Sequence, residues 1–249
     1  MSGHSKWATI KRKKAANDAR RSNQFAKLLR AVEVAAREGG GDPAANMTLA
    51  SAVEKAKASS VPNDNIDRAI RRGSGADADA TRYEEITYEG YAPGGIALFV
   101  ETLTDNRNRT AQDVRHAFTR NGGNLGETGS TAWMFTRKGV VVVGKDTAPD
   151  DERLLELALD AGAEDLHDSE SSWEIVTDPT SLGAVRDALR AEGIEVESAE
   201  LTMLPQSTIP VDGGEAKKVL QMIDALEDLE DVQSVYANFD IPEEVMASL

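Results

Sequence analysis

The sequence predicts an α+β protein of three parts: an N-terminal all-helical domain followed by two α/β sandwich (ferredoxin-like) domains, the third inserted into the second. Three observations carry this. Apolar residues recur at steps of three and four up to about residue 73, then alternate at every second position. A small polar run, GSGADADAT (73–81), separates the two regimes. Beyond residue 81 the elements read ββαβ, then βαββαβ, then αβ. The final helix and strand are too small to stand alone, and they complete the first sandwich if the middle block is an insertion.

From Ile10 to Arg37 the pattern is helical. Phe25, Leu28, Leu29, Val32, Ala35 and Ala36 form one apolar stripe, with Lys27, Arg30, Glu33 and Arg37 off it. Gly39, Gly40 and Gly41 stop this helix. Asp42 as N-cap and Pro43 at the first helical position start a second, about 43–58, which buries Leu49, Val53 and Ala56. A third runs from Asn63 or Asp64 to Arg72 and ends at Gly73. These helices make a domain of residues 1–75, and 76–81 form a linker that lets it separate from the rest. Asp77 and Asp79 have no third ligand nearby, so the linker is no metal site.

Residues 84–91 and 95–104 read as strands, with Gly90, Pro93, Gly94 and Gly95 turning the chain between them. Asp105 caps a helix over 109–121, Gly122 and Gly123 stop it, and STAWMFT (130–136) is a further strand. The inserted unit comes next: strand 139–145, helix 150–162, strands 164–170 and 171–178, helix 179–193 and strand 195–205. A helix over 213–229 and a strand over 232–239 close the chain. The middle domain is therefore 82–136 plus 207–249, and the inserted domain 137–206.

Charge divides the chain unevenly. Net charge is −15, yet residues 1–75 hold 15 Lys and Arg against 7 Asp and Glu. Residues 76–249 hold 13 against 36, and residues 1–37 alone hold 10 against 2. A basic module on an acidic body points to a polyanion met at one end only. The candidate contacts are Lys6, Lys11, Arg12, Lys13, Lys14, Arg20, Arg21, Lys27 and Arg30, each able to displace condensed counterions from a phosphate. Trp7 can stack on an unpaired base or staple the tail to the helices, and His4 has the same two readings. Arg71 and Arg72 close the third helix, where the helix dipole alone accounts for them or phosphate does. Arg107, Arg109 and Arg115 make a second candidate anion site near a helix N-terminus, with ion pairing to local acids as the alternative.

Other classes find little support. There is no cysteine, hence no disulfide, thiol nucleophile or thiolate metal site. His4, His116 and His167 have no zinc spacing, and no phosphate loop or nucleophile elbow occurs. GSGADA (73–78) comes after a helix and lacks the third glycine of a dinucleotide loop. No enzyme, metal or cofactor is expected. No run of 18 apolar residues occurs and no apolar stretch comes after the basic start, so a cytoplasmic protein without a membrane partner is expected, as a monomer.

The opening GHSKWATIKRKKAANDARRSNQFAKLLR (3–30) resembles that of the YebC family, which is related to the mitochondrial translational activator of cytochrome c oxidase. The likeness continues through VPNDNIDRAIRRGSG (61–75), YEGYAPGG (88–95), TDNRNRTAQDVRHAF (104–118) and GSTAWMF (129–135), and covers most of the chain. It implies one helical and two α/β domains and a non-enzymatic cytoplasmic regulator of gene expression. Members are labelled probable transcriptional regulators and credited with DNA binding; a second view makes them ribosome-associated translation factors that bind ribosomal RNA and relieve stalling. Three functions stand from the sequence: a DNA-binding regulator, a ribosome-bound factor, and a protein-interaction scaffold with an incidental basic tail.

Overall fold

The structure is a computed structural model that describes residues 18–75, 83–169 and 172–241, with side chains from Asn23 onward. It is α+β, and its chain forms two compact units. One holds Trp133–Ile209 with Asn238–Asp240; the other holds the described residues before Trp133 together with Pro210–Ala237 and Ile241.

The second of these begins with three helices, α1 (Asp18–Gly39), α2 (Met47–Ala58) and α3 (Asn63–Gly73). Val32, Ala35 and Ala36 of α1 meet Leu49 and Ala56 of α2 and Ile66 and Ala69 of α3 in one buried cluster, with Phe25, Leu28, Leu29 and Val53 packed at its edge. Fully burying a side chain the size of Leu49 or Ile66 contributes about 1.5–3 kcal/mol. α2 starts four residues later than the sequence suggests, because Asn46 and not Asp42 is the N-cap: its side chain accepts from Leu49 N–H at 3.0 Å. Asp42 instead holds the preceding turn through Ala44 N–H at 3.0 Å. Asn46 gains more as a cap, since its amide also donates to the carbonyls of Ala35 and Gly40.

α3 lies so close to α1 that a Cβ on Gly73 would sit 2.1 Å from the Glu33 carbonyl oxygen. Gly73→Ala should therefore destabilise the chain by about 1–3 kcal/mol in urea unfolding, because the clash is with backbone that has no rotamer to yield.

The same unit carries a four-stranded antiparallel sheet, in the order β3–β1–β2–β9. Its strands are β1 (Glu84–Tyr91), β2 (Ala97–Thr104), β3 (Asn124–Leu125) and β9 (Val232–Ala237). Two helices complete it, α4 (Arg107–Arg120) and α7 (Gly213–Glu227). α4 contributes buried Val114, Ala117 and Phe118, and α7 contributes Val219, Met222, Ile223 and Leu226. Asn106, not Asp105, caps α4, accepting from Arg109 N–H at 3.2 Å. Asp105 is drawn away to pair with Arg109.

The expected strand over 130–136 is the main revision. Residues Ala132–Met134 form a 3₁₀ turn, and Phe135 already begins β4 (Phe135–Gly144), which belongs to the other unit. There β4 pairs with β7 (Val196–Pro205) from Phe135 opposite Pro205 to Val143 opposite Val196. The short β3 takes the place in the first sheet that the sequence assigned to 130–136. β4, α5 (Asp151–Asp160), β5 (Ala163–Asp168), β6 (Ser172–Thr177), α6 (Leu182–Ala191) and β7 keep the βαββαβ order, with an antiparallel sheet β5–β6–β4–β7. Its core joins Val141, Val143, Leu154, Ala158, Ile175, Val185 and Leu189. β8 (Ile209–Pro210) and β10 (Phe239–Asp240) form a two-stranded pair. Among the described residues no helix is long and apolar enough to cross a membrane.

Candidate nucleic-acid interface

His4, Lys6, Trp7, Lys11, Arg12, Lys13 and Lys14 lie outside the described residues, and Arg20 and Arg21 fall on α1 with their side chains outside them. The next polar positions of α1 show what this helix does further along. Asn23, Lys27 and Arg30 are spaced by four and three, so they share one face. That face meets the C-terminal end of α7. Asn23 Nδ2 donates to the Asp228 carbonyl at 2.9 Å, and Lys27 Nζ donates to the Glu227 carbonyl. Carbonyls at a helix end lack intrahelical donors and carry the negative end of the helix dipole, so amide and ammonium donors fit them.

Arg30 reaches deeper. Its Nη1 donates to Asp231 Oδ1 at 2.9 Å and to the Leu103 carbonyl at 3.0 Å, and its Nη2 to Glu230 Oε1 at 2.8 Å. The guanidinium carbon lies 4.9 Å from the centre of the Tyr83 ring. Only 9% of the side chain is exposed. A phosphate at Lys27 or Arg30 would have to displace partners already in place. The same bonds tie α1 to the end of β2 and the start of β9, and the expected linker, 76–81, lies outside the described residues.

Asp231 is the centre of this arrangement. It is 3% exposed, where β9 begins. Besides Arg30 it accepts Arg109 Nη2 at 2.8 Å and Thr110 Oγ1 at 2.7 Å through Oδ2, with Thr104 Oγ1 at 3.2 Å. Burial works against the charge, but the bonds from Arg109 and Thr110 and the fields of Arg109 and Arg30 outweigh it and hold the carboxyl below its ordinary range. Bonds to Asp231 and Asp105 in turn raise the Arg109 pKa further. Acids already stand at two arginines of the second candidate anion site. Arg109 is occupied by two carboxylates, and Arg107 lies 3.6 Å from Glu84. Arg115 remains exposed on α4. At the end of α3, Arg72 Nε donates to buried Glu33 at 3.1 Å and joins α1 to α3 with 48% of its side chain still exposed, and Arg71 is exposed beside it.

A second buried carboxylate, Glu89 of β1, accepts the backbone N–H groups of Gly129, Thr131 and Ala132 at 2.7, 2.6 and 2.6 Å. Burial opposes its ionisation, and these three bonds together overcome it, so its pKa is lowered. It fixes the loop before β4. Among the described residues no group of three or more His, Asp or Glu is arranged to hold a metal ion.

Sequence reasoning missed Asp231, Thr104, Thr110 and Glu89. The spacing of Asn23, Lys27 and Arg30 was a visible signal for a single polar face. Asp231 sits in the acidic run EDLED (227–231), where nothing distinguishes the buried acid from its exposed neighbours.

Two family models match the chain: "TACO1/YebC protein N-terminal domain" over residues 5–76 and "TACO1/YebC second and third domain" over residues 83–239. A Rubrobacter xylanophilus protein named "Probable transcriptional regulatory protein" is 59% identical over 249 residues, covering 100% of this chain and 99% of its own. A Salinispora arenicola protein of the same name is 55% identical, with 100% of both chains covered. The crystal structure of a conserved hypothetical protein from Aquifex aeolicus superposes with a TM-score of 0.81 at 45% identity, covering 92% of this chain and 94% of that one.

Proposed function

The chain belongs to the TACO1/YebC family, and on that premise we propose that it is a non-catalytic regulator of gene expression that binds nucleic acid through its N-terminal helical part. The observation that carries this is the charge division: 10 basic and 2 acidic residues in 1–37, against 13 and 36 in 76–249. With Lys27 and Arg30 committed to internal partners, the contacts fall to His4, Lys6, Trp7, Lys11, Arg12, Lys13, Lys14, Arg20 and Arg21, with Arg71 and Arg72 as outlying cations. The acidic remainder of the chain would be repelled by a long polyanion, which directs binding to one end. The name carried by the Rubrobacter and Salinispora relatives agrees with a regulator.

Within this reading a folded RNA, such as ribosomal RNA, is the better target than duplex DNA. The supporting observation is α3, which opens with Asn63, has Asp64 in its first turn and carries Asp67 one turn on. A recognition helix that enters the major groove by its N-terminal turns would press both acids against phosphates. An extended basic segment with a tryptophan has no such conflict, and splayed bases in RNA offer it a stacking surface.

Fluorescence titration of the full chain against a labelled transfer RNA and a 30-base-pair duplex tests both levels. If about six phosphate contacts form, the plot of log affinity against log salt should slope near about −4 to −5. Replacing Lys11, Arg12, Lys13 and Lys14 with Glu should weaken binding at least about tenfold on every sequence. Affinity indifferent to salt would remove the electrostatic reading. Trp7→Ala should cost about 1–3 kcal/mol on the RNA and little on the duplex. Equal losses on both targets would make Trp7 a structural staple. Co-sedimentation with ribosomes, with and without nuclease, addresses the ribosomal target directly.

A further inference from the structure

The chain has 43 acids and 28 basic residues, so an exposed cation has acids to spare around it. Arg115 and Arg120 of α4 and Lys217 and Lys218 of α7 are all exposed, yet none has an ion-pair partner among the described residues. The two helices pack side by side on the sheet and run in opposite directions. The start of α4 lies at the end of α7, where Arg109 meets Asp231. Their other ends flank the 93–95 turn: a Cβ on Gly122 would lie 3.7 Å from Pro93, and one on Gly94 3.3 Å from Glu215. Acids gather at one end of this pair, where the cations Arg107 and Arg109 are already paired with Glu84, Asp105 and Asp231. Asp113, Glu230 and Asp231 line the hollow at the end where α1 docks, and Asp224, Glu227 and Asp228 belong to the same end. Toward the other end lie the unpaired cations, with the exposed acids Asp212, the N-cap of α7, and Glu215 among them.

We propose that this basic stretch of the α4–α7 surface is a second contact for the phosphate backbone of folded RNA, formed by Arg115, Arg120, Lys217 and Lys218. It rests on the nucleic-acid reading above and adds a site that the N-terminal segment does not contain. Two helices side by side span about 20 Å, wider than the ~12 Å major groove of B-form DNA. Such a surface lies across phosphates and does not enter that groove. The wide, shallow minor groove of A-form RNA accepts a flat surface, and exposed Gln112, His116 and Gln221 supply neutral hydrogen-bonding tips for 2′-hydroxyls.

The test uses the full chain with a labelled transfer RNA and a 30-base-pair duplex. One variant carries Arg115→Gln, Arg120→Gln, Lys217→Gln and Lys218→Gln. A matched variant removes four cations from the other unit: Arg137→Gln, Lys145→Gln, Arg153→Gln and Arg186→Gln. The first should bind the RNA at least about tenfold more weakly at 0.1 M salt, with a salt slope shallower by about 3, and with an unchanged melting temperature. The matched variant should stay within about threefold of wild type. Unchanged RNA affinity in the first variant, while replacing Lys11, Arg12, Lys13 and Lys14 with Glu abolishes binding, would overturn this second contact alone. Equal loss in the matched variant, or an equal loss on the duplex, would overturn it too. A wild-type chain that binds no RNA would instead overturn the underlying reading.

Discussion

Asp231→Ala is expected to destabilise the unit that contains it by about 3–5 kcal/mol, measured by urea unfolding. The loss comes less from the removed carboxylate than from the groups it strands. The Arg30 guanidinium, with 9% of its side chain exposed, loses its buried partner and keeps the exposed Glu230 carboxylate, the carbonyls of Leu103 and Glu230 and the face of the Tyr83 ring. Thr104 and Thr110, both buried, lose the acceptor they share. Asp231→Asn should cost less, because an amide oxygen still accepts one donor. Limited proteolysis should show α1 cut faster in both variants, since Arg30 is its deepest attachment. A loss below about 1 kcal/mol would place this cluster with ordinary surface ion pairs. The pH dependence has a definite sign. The folded pKa of Asp231 lies below its unfolded value, so the stabilisation is complete above the unfolded value of about 3.9 and is lost as pH falls through the folded one. Melting temperature should therefore hold steady from neutrality to about pH 5 and fall below it, more steeply in wild type than in Asp231→Ala.

Glu89→Ala is expected to cost about 3–4 kcal/mol in the same assay. Three backbone N–H groups, on Gly129, Thr131 and Ala132, would lose their acceptor, and each orphaned donor costs about 1–3 kcal/mol before water reaches it. Thr131 is fully buried and Gly129 is exposed, so the penalty should fall mainly on the 131–132 end of the loop. Hydrogen exchange at Thr131 and Ala132 should accelerate well beyond any change in β2. Glu89→Gln should retain part of the stability, because its amide oxygen can still accept. If Glu89→Ala left those amides protected, another acceptor would have to be holding the loop.

Much of this architecture could be read from the order of residues. The apolar stripe of α1, the switch from period 3.6 to period 2, and the glycine stops gave each described helix and most strands to within a few residues. Those signals are local: a helix or strand that packs on one side must repeat its apolar residues at its own period. The cap departures were local in origin; the strand departure was not. Asn46 and Asn106 displaced Asp42 and Asp105 as caps because the aspartates had other partners within reach. Residues 130–136 carry strand-like composition, but their backbone is taken by the Glu89 carboxylate at Thr131 and Ala132 and by β7 from Phe135 onward.

The family, the α+β order of elements and the basic start on an acidic chain were all legible in the residues alone, because they depend on composition and on spacings of a few positions. Which charges are free became visible only in the folded chain. Lys27 and Arg30 carry no mark in the sequence that separates them from other basic residues, yet they bond to residues 200 and 201 positions away. Arg115 and Arg120 look no different from Arg109, yet Arg109 alone of the three is claimed by Asp231. A side chain's charge is fixed by its type, but its availability depends on what the fold brings within about 4 Å of it, and no pattern of neighbours along the chain encodes a partner so distant.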